Sequence, residues 1–207
     1  MKPYSEACER NQGPILEVLR EAFANARDAL EIGSGTGQHA VYFARRLPHL
    51  TWHASDAPEH HAGINAWIAE AALTNIRAPV ALDVRDAPWP VQTVDAVYSA
   101  NTLHIMDWAA VQAMFRGLAR ALNAGGVLVI YGPFNYGGQF TSQSNAHFDA
   151  SLRSRGVGSG LRDFEAVNAL ALGIGLALQQ DVAMPANNRT LVWRRTPGVA
   201  AGQASQV

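Results

Sequence analysis

Three glycines at alternate positions, Gly33, Gly35 and Gly37, follow the short run Ala29-Leu30-Glu31-Ile32. A strand that turns at once into a helix needs residues with a free φ at the bend. A ligand that approaches the bare backbone needs the same absence of Cβ. The pattern therefore restricts the chain to α/β architectures with a strand, a tight turn and a helix. Taken alone it is equally compatible with a plain turn in some other α/β protein.

The spacing carries further information. Dinucleotide-binding folds use GxGxxG, whereas this loop reads GxGxG, with Ser34 and Thr36 between the glycines and Glu31 two residues ahead of the first. S-adenosylmethionine has no pyrophosphate to seat on a helix start, but it has a carboxylate that exposed amides there can bind. Its α-ammonium group finds an acceptor in Glu31 or a loop carbonyl. Leu50 to Asp56 reads as a second strand ending in an acid. A carboxylate at that tip can accept both ribose hydroxyls; as Ala57-Pro58 follows, Asp56 is also placed to cap a helix. A third strand, Val80 to Val84, brings Asp83 and the neighbouring Val84 to the position where an adenine edge would be read. A solvated loop aspartate is the alternative for Asp83.

The alternation continues along the chain. Apolar positions from Pro14 to Ala26 mark a first helix, with Pro14 in its first turn. Gln38 to Leu47, Ile64 to Leu73 and Asp107 to Leu122 read as helices. Val94 to Ser99 and Gly126 to Tyr131 read as strands four and five, the latter after an Asn123-Ala124-Gly125 turn. Such alternation implies right-handed βαβ units and a parallel sheet covered on both faces. Residues 132–162 form an irregular excursion on the substrate side, followed by a helix capped by Asp163 and running to Leu172. Leu176 to Met184 and Arg189 to Arg195 pair as a hairpin across Pro185-Ala186-Asn187-Asn188. The expected fold is a class I methyltransferase, Rossmann-like α/β domain over residues 1–196. Its sheet has seven strands, mostly parallel, with a terminal antiparallel hairpin. Residues 1–27 form an N-terminal lid and helix, and 197–207 a disordered tail.

The motifs S-E-A-C-E-R-N-Q-G-P-I-L (5–16), E-I-G-S-G-T-G-Q-H (31–39), Y-G-P-F-N-Y-G-G-Q-F-T-S-Q-S-N (131–145), F-D-A-S-L-R (148–153) and M-P-A-N-N (184–188) span nearly the whole chain. On them the chain resembles the methyltransferase-like twenty-six family, long catalogued as a domain of unknown function. The resemblance implies the class I methyltransferase fold and use of S-adenosylmethionine, and it supplies no substrate. One departure is Thr102, where that family leads us to expect a methionine.

Composition narrows the chemistry. A net charge of −1 gives no footprint for extended nucleic-acid binding. No apolar stretch has membrane-spanning length. A polar N-terminus and the single Cys8 lead to the expectation of a cytoplasmic enzyme acting on a small molecule, as a monomer or homodimer. No D/N-P-P-Y motif of amino-methylating nucleic-acid enzymes is present, and no cluster has metal-ligand spacing; His60-His61 reads as a solvated pair.

Methyl transfer needs an in-line nucleophile in a dry, oriented pocket, with a base only where a proton must leave. Asn101 and His104, after strand four, are the candidate catalytic groups, and Asn101 is also placed on the cofactor edge with Gly33 to Gly37, Asp56 and Asp83; His104 packed beneath the cofactor is the equal alternative. The Cys8-Glu9-Arg10-Asn11 cluster is placed as a lid. Arg10 is either a bidentate clamp for a carboxylate or a salt bridge anchoring the first helix, and Asn11 lies with it on the substrate side. Tyr131, Phe134, Tyr136 and Phe140 are aromatic candidates for the acceptor wall, unless they are plain core. Two other functions stay open at this stage: a non-catalytic protein that binds S-adenosylmethionine or its demethylated product, and a nicotinamide-dependent oxidoreductase.

Overall fold

A computed structural model describes residues 2–156 and 158–196. In chain order the elements are α1 (Glu6–Ala22), β1 (Asp28–Ile32), α2 (Gln38–Arg46), β2 (Thr51–Asp56), α3 (His61–Ala71), β3 (Ile76–Ala81), β4 (Val94–Ala100), α4 (Trp108–Ala121), β5 (Leu122–Gly132), β6 (Phe134–Asn135), α5 (Gln143–Arg155), β7 (Arg162–Asp163), α6 (Phe164–Gly173), β8 (Leu176–Met184) and β9 (Asn188–Arg195). Seven strands form one sheet in the order β3-β2-β1-β4-β5-β9-β8. The first five run parallel, and β9 lies antiparallel between β5 and β8. Strand order reverses between β1 and β4, and in open α/β sheets the carboxyl ends of the strands at such a point are where ligands bind.

The sheet is buried on both faces, and alternate strand residues show which helices cover it. Ala29, Tyr98, Val127 and Val129 pack with Ile15, Leu16, Phe43 and Ile64 of α1, α2 and α3. Leu30, Ile32, Val97, Leu128 and Ile130 pack with Val111, Phe115, Val167 and Ala171 of α4 and α6. Each such aliphatic side chain contributes about 1.5–3 kcal/mol on burial. This explains why near-continuous apolar runs mark the central strands.

Several boundaries differ from the expectations. The first helix starts at Glu6, so Pro14 sits inside it rather than in its first turn. Ser5 caps the Cys8 amide at 3.4 Å, and burial of Ile15, Leu16 and Leu19 holds the helix across the missing amide hydrogen. The expected lid at residues 8–11 is thus helical. The third strand runs from Ile76 to Ala81, earlier than the apolar run suggested, because it is an edge strand that tolerates Pro79. Asn123-Ala124-Gly125 lies within β5 as a bulge: the register jumps from Val94↔Leu122 to Ala96↔Val127. The excursion holds α5, hidden from periodicity by its polar face and started by Ser142, whose side chain accepts from the Asn145 amide at 3.1 Å. Asp163 precedes α6 without a capping hydrogen bond from its side chain. In the hairpin turn, Ala186 and Asn187 take positive φ while Asn188 is extended. Residues 197–207, read as a tail, lie outside the described residues.

Candidate functional site

The glycine loop is welded to β2. The Gly33 and Ser34 amides donate to the Ser55 carbonyl at 3.1 and 2.9 Å, and the Ser55 amide donates to Ser34 Oγ at 3.1 Å. All three loop glycines have positive φ. Gly37 has no room for a side chain, since a Cβ there would stand 2.8 Å from Ile64 Cα; at Gly35 nothing lies within 4 Å. The loop thus closes on α3 at one glycine and is open to a ligand at another. Thr102 packs on Gly33, where an added Cβ would meet its hydroxyl at 2.8 Å.

Glu31 lies beneath this loop, 2% exposed. Its Oε2 accepts from Ser34 Oγ and Trp52 Nε1, both at 3.0 Å. Burial pushes its carboxyl up to about 7, against those two hydrogen bonds and with help from the Asp56 charge. No Lys or Arg forms an ion pair with Glu31 among the described residues. A buried acid so placed is suited to a cationic ligand group.

Asp56 ends β2. Its Oδ2 accepts from the Gly35 amide at 2.6 Å, and its Oδ1 accepts from the Ala57 amide at 2.7 Å and lies 2.7 Å from His60 Nδ1. The His60-His61 pair is therefore not simply solvated, since His61 Nε2 also reaches the Asp56 carbonyl at 3.0 Å. Asp83 and Val84 fall in the turn beyond β3, not within it. The Leu82 amide donates to the Asp56 carbonyl at 3.2 Å, which holds this turn beside the tip of β2. Asp83 is exposed and accepts from the Arg85 amide, while the Val84 side chain is buried and its carbonyl accepts from Trp89 Nε1 at 3.3 Å.

After β4, Asn101 has a φ of 57° and donates its amide to the Tyr131 carbonyl at 2.9 Å. A Cβ added to Gly132 would lie 3.7 Å from His104 Nδ1 and 3.9 Å from Asn101 Oδ1. The two candidate catalytic side chains therefore converge on one bare backbone position. His104 is 5% exposed, and its ring has no hydrogen bond among the described residues. Burial, then the positive charge of Arg162, lowers its pKa to about 4. Phe148 of α5 packs edge-on against the ring, with centroids 5.3 Å apart. Arg162 holds the backbone here, donating to the carbonyls of Leu103 at 3.1 Å, Gly158 at 2.7 Å and Met106.

The N-terminal segment roofs the loop. Gln38 is bonded both ways to the Ser5 backbone, and the Cys8 thiol neighbours Thr36 and Glu31. Burial raises that thiol's pKa, which makes Cys8 a poor nucleophile. Two expectations need correction. Arg10 is not an inward clamp: it faces solvent, paired at 3.2 Å with Glu6 one helical turn away. Asn11 is buried, with Oδ1 2.7 Å from His39 Nε2, whose Nδ1 lies 3.3 Å from the Tyr98 hydroxyl. It ties α1 to α2 rather than standing free for a substrate.

Of the four aromatic candidates, Tyr131, Phe134 and Tyr136 are structural, and Phe140 is exposed. Tyr131 is 4% exposed, and Phe134 is 2% exposed in the core beneath α4 and α6. Tyr136 stacks on Phe164 and donates its hydroxyl to Asp181 at 2.8 Å, which Arg189 also engages at 2.7 Å. Burial of apolar surface decides Tyr131 and Phe134, and the bond to Asp181 decides Tyr136. Sequence reasoning missed Trp52, His60, Phe148 and Arg162, none of which stands in a local pattern of its own; the i, i+4 spacing of Asp56 and His60 was the one available signal. A cavity of ≈ 350 Å³ opens elsewhere, between α1, α2 and α3, lined by Tyr4, Tyr42 and Trp67. It lacks the loop amides and the strand-end acids, so the chemistry points to the strand tips instead.

Comparison with known proteins supports the same fold. An O-methyltransferase family protein from Burkholderia thailandensis superposes with a TM-score of 0.81 at 21% identity, over 94% of this chain and 59% of that one. An O-methyltransferase family 2 protein from Planctomyces limnophilus, solved with apigenin, gives 0.81 at 16% identity, over 92% and 58%. PigF, solved with SAH, gives 0.74 at 17% identity, over 92% and 64%. The chain thus spans less than two thirds of these proteins, and what it shares with them is the class I methyltransferase fold. Residues 2–195 match a family defined by sequence. The chain belongs to that family, described as protein of unknown function DUF938.

Proposed function

We propose that this chain is an S-adenosylmethionine-dependent methyltransferase acting on a small-molecule acceptor, akin to the methyltransferase-like twenty-six family. The observation that carries this reading is the convergence of Glu31, the open Gly35, Asp56 and Asn101 on one edge of the parallel sheet. Two residues fit the cofactor: Glu31 is a buried acid suited to an ammonium, and Asp56 suits a ribose diol, whereas the Gly33, Ser34, Gly35 and Gly37 amides already donate within the protein. The turn at Asp83 and Val84 is placed for the adenine. When bound, S-adenosylmethionine supplies an electrophilic methyl group on a sulfonium.

The acceptor would enter over Gly132, between Asn101 and His104. With a pKa of about 4, His104 is uncharged at neutral pH and accepts a hydrogen bond from an acceptor hydroxyl. It is too weak a base to take the proton before attack, so its role is to aim the hydroxyl oxygen; the proton leaves the far more acidic methylated oxygen for the His104 ring as the C–O bond forms, and passes from there to solvent. Phe148 and the excursion exclude water from that oxygen. The solved relatives of this fold include O-methyltransferases, which agrees with a hydroxyl acceptor. The lone Cys8 suits a reducing, cytoplasmic setting.

Calorimetry with S-adenosylhomocysteine and NADH tests the cofactor; binding of NADH alone would overturn the reading. Labelled methyl transfer from S-adenosylmethionine into a small-molecule cell extract tests the enzyme. Tight binding of S-adenosylhomocysteine with no labelled product from any extract points to a non-catalytic binder. In an active extract, His104→Gln should lower transfer about 100-fold with unchanged S-adenosylhomocysteine affinity.

A further inference from the structure

The carboxylate at the tip of β2 already has three donors around it. Gly35 holds Oδ2, while the Ala57 amide and His60 Nδ1 both address Oδ1, at 2.7 Å each. A carboxylate oxygen accepts two hydrogen bonds comfortably, so Oδ2 keeps one free position and Oδ1 keeps none. A ribose diol that donates one hydroxyl to each oxygen therefore finds the second position taken. Of the two donors on Oδ1, the Ala57 amide is fixed by the backbone. The His60 side chain is 52% exposed, so it can swing into water at little cost. Asp56 itself is 14% exposed, which leaves few other directions of approach.

We propose that His60 competes with the cofactor ribose for Asp56, so that cofactor affinity is set by whether His60 holds the carboxylate. This rests on the assignment of Asp56 to the ribose. Sequence assigned His60 no such part; the competition arises because the turn after β2 places it one helical step from the acid. Protonation strengthens its hold, since the imidazolium always presents a hydrogen on Nδ1 and adds an ion pair. The groups facing His60 are Asp56 from β2 and Glu59 on its own turn, both of which favour the charged ring; the loop contributes only the uncharged Gly35 amide. His61 turns instead to the Asp56 carbonyl.

The hydrogen bond to Asp56 raises the His60 pKa above its ordinary value, so the protonated competitor dominates at low pH and is lost as pH rises through that raised value. Cofactor binding should therefore tighten with pH. Glu31 titrates in the same range, so the informative quantity is the difference between wild type and a His60 variant.

The test is calorimetric titration with S-adenosylhomocysteine at pH 5.5 and 8.5, on wild type, His60→Ala and Asp56→Ala. His60→Ala should bind about three- to tenfold more tightly than wild type at pH 5.5, with the gap closing at pH 8.5. Equal affinities at pH 5.5, or weaker binding by His60→Ala at either pH, would overturn the competition. Unchanged affinity in Asp56→Ala would instead overturn the ribose assignment, so the two failures are distinguishable.

Discussion

Replacing Gly37 by alanine separates the two demands made on the glycine loop. Gly37 has a φ of 89°, and a Cβ there meets Ile64 Cα at 2.8 Å. The left-handed conformation costs an L-residue about 1–2 kcal/mol. The clash is with backbone rather than with a movable side-chain tip, so α3 or α2 must shift, at about 1–3 kcal/mol. The sum, about 2–5 kcal/mol, corresponds to a Tm loss of roughly 4–20 °C for a domain of this size. Gly35→Ala is the control: its φ of 54° carries the conformational cost, but nothing lies within 4 Å to collide with the new methyl. That variant should lose only about 1–2 kcal/mol of stability, yet bind S-adenosylhomocysteine at least tenfold more weakly, because the methyl fills space reserved for the ligand. Urea midpoints and calorimetry on the same samples give both quantities. If Gly37→Ala unfolds within about 1 kcal/mol of wild type, or if Gly35→Ala is equally destabilised, the division between a packing glycine and a ligand glycine is wrong.

Three further outcomes follow from other parts of the molecule. Glu31 has a folded pKa raised from 4.5 to about 7, so the folded state binds the extra proton and stability of the ligand-free protein falls as pH rises through that interval. Glu31→Gln should remove this decline in a thermal-shift series from pH 4.5 to 7.5; an unchanged slope would show that Glu31 is not its source. His39 has the opposite sense: burial lowers its pKa to about 4, so the neutral ring's contribution is intact above pH 6.5 and is lost as pH falls toward 4. Wild type minus His39→Gln, measured by urea midpoint, should show this acid-side loss, and a flat difference would count against it. At Gly117 of α4, alanine has the better helix propensity, but its Cβ would fall 2.0 Å from the Trp89 ring. Gly117→Ala should therefore cost about 1–3 kcal/mol in chemical denaturation, and stabilisation would show that the ring moves aside freely.

What the sequence revealed and what it hid divide along the range of the interactions. The central strands and the glycine loop are legible because burial on both faces writes apolar runs and tight turns write glycines, all within a few residues. Asp56 is legible as a strand-end acid, because the apolar run of β2 stops at it. The edge strand β3 falls earlier than the apolar run at Val80 to Val84, since only Ile76 of the strand is buried and a proline interrupts it. Arg10 and Asn11 stand side by side, and only the course of α1 decides that one meets Glu6 in water while the other meets His39 in the interior. Tyr136 is the sharpest case. Its aromatic ring suggested a pocket wall, but an acid 45 residues later claims its hydroxyl. The pairing of Phe148 with His104 joins α5 to the loop after β4, a meeting that only the folded chain can show.

Arg162 holds the loop after β4 to the excursion through carbonyl oxygens alone, at Leu103, Met106 and Gly158. Every residue type carries that oxygen, so the anchor is indifferent to the side chains at Leu103 and Met106; Gly158 is held to glycine separately, by a φ of 86° and by Asp107, 2.7 Å from where a Cβ would stand. Gly160 and Ser159 add two more bonds to carbonyls of the same loop, at His104 and Ile105, so the two segments are held at a fixed separation through main-chain oxygens while the side chains between them are left free to differ.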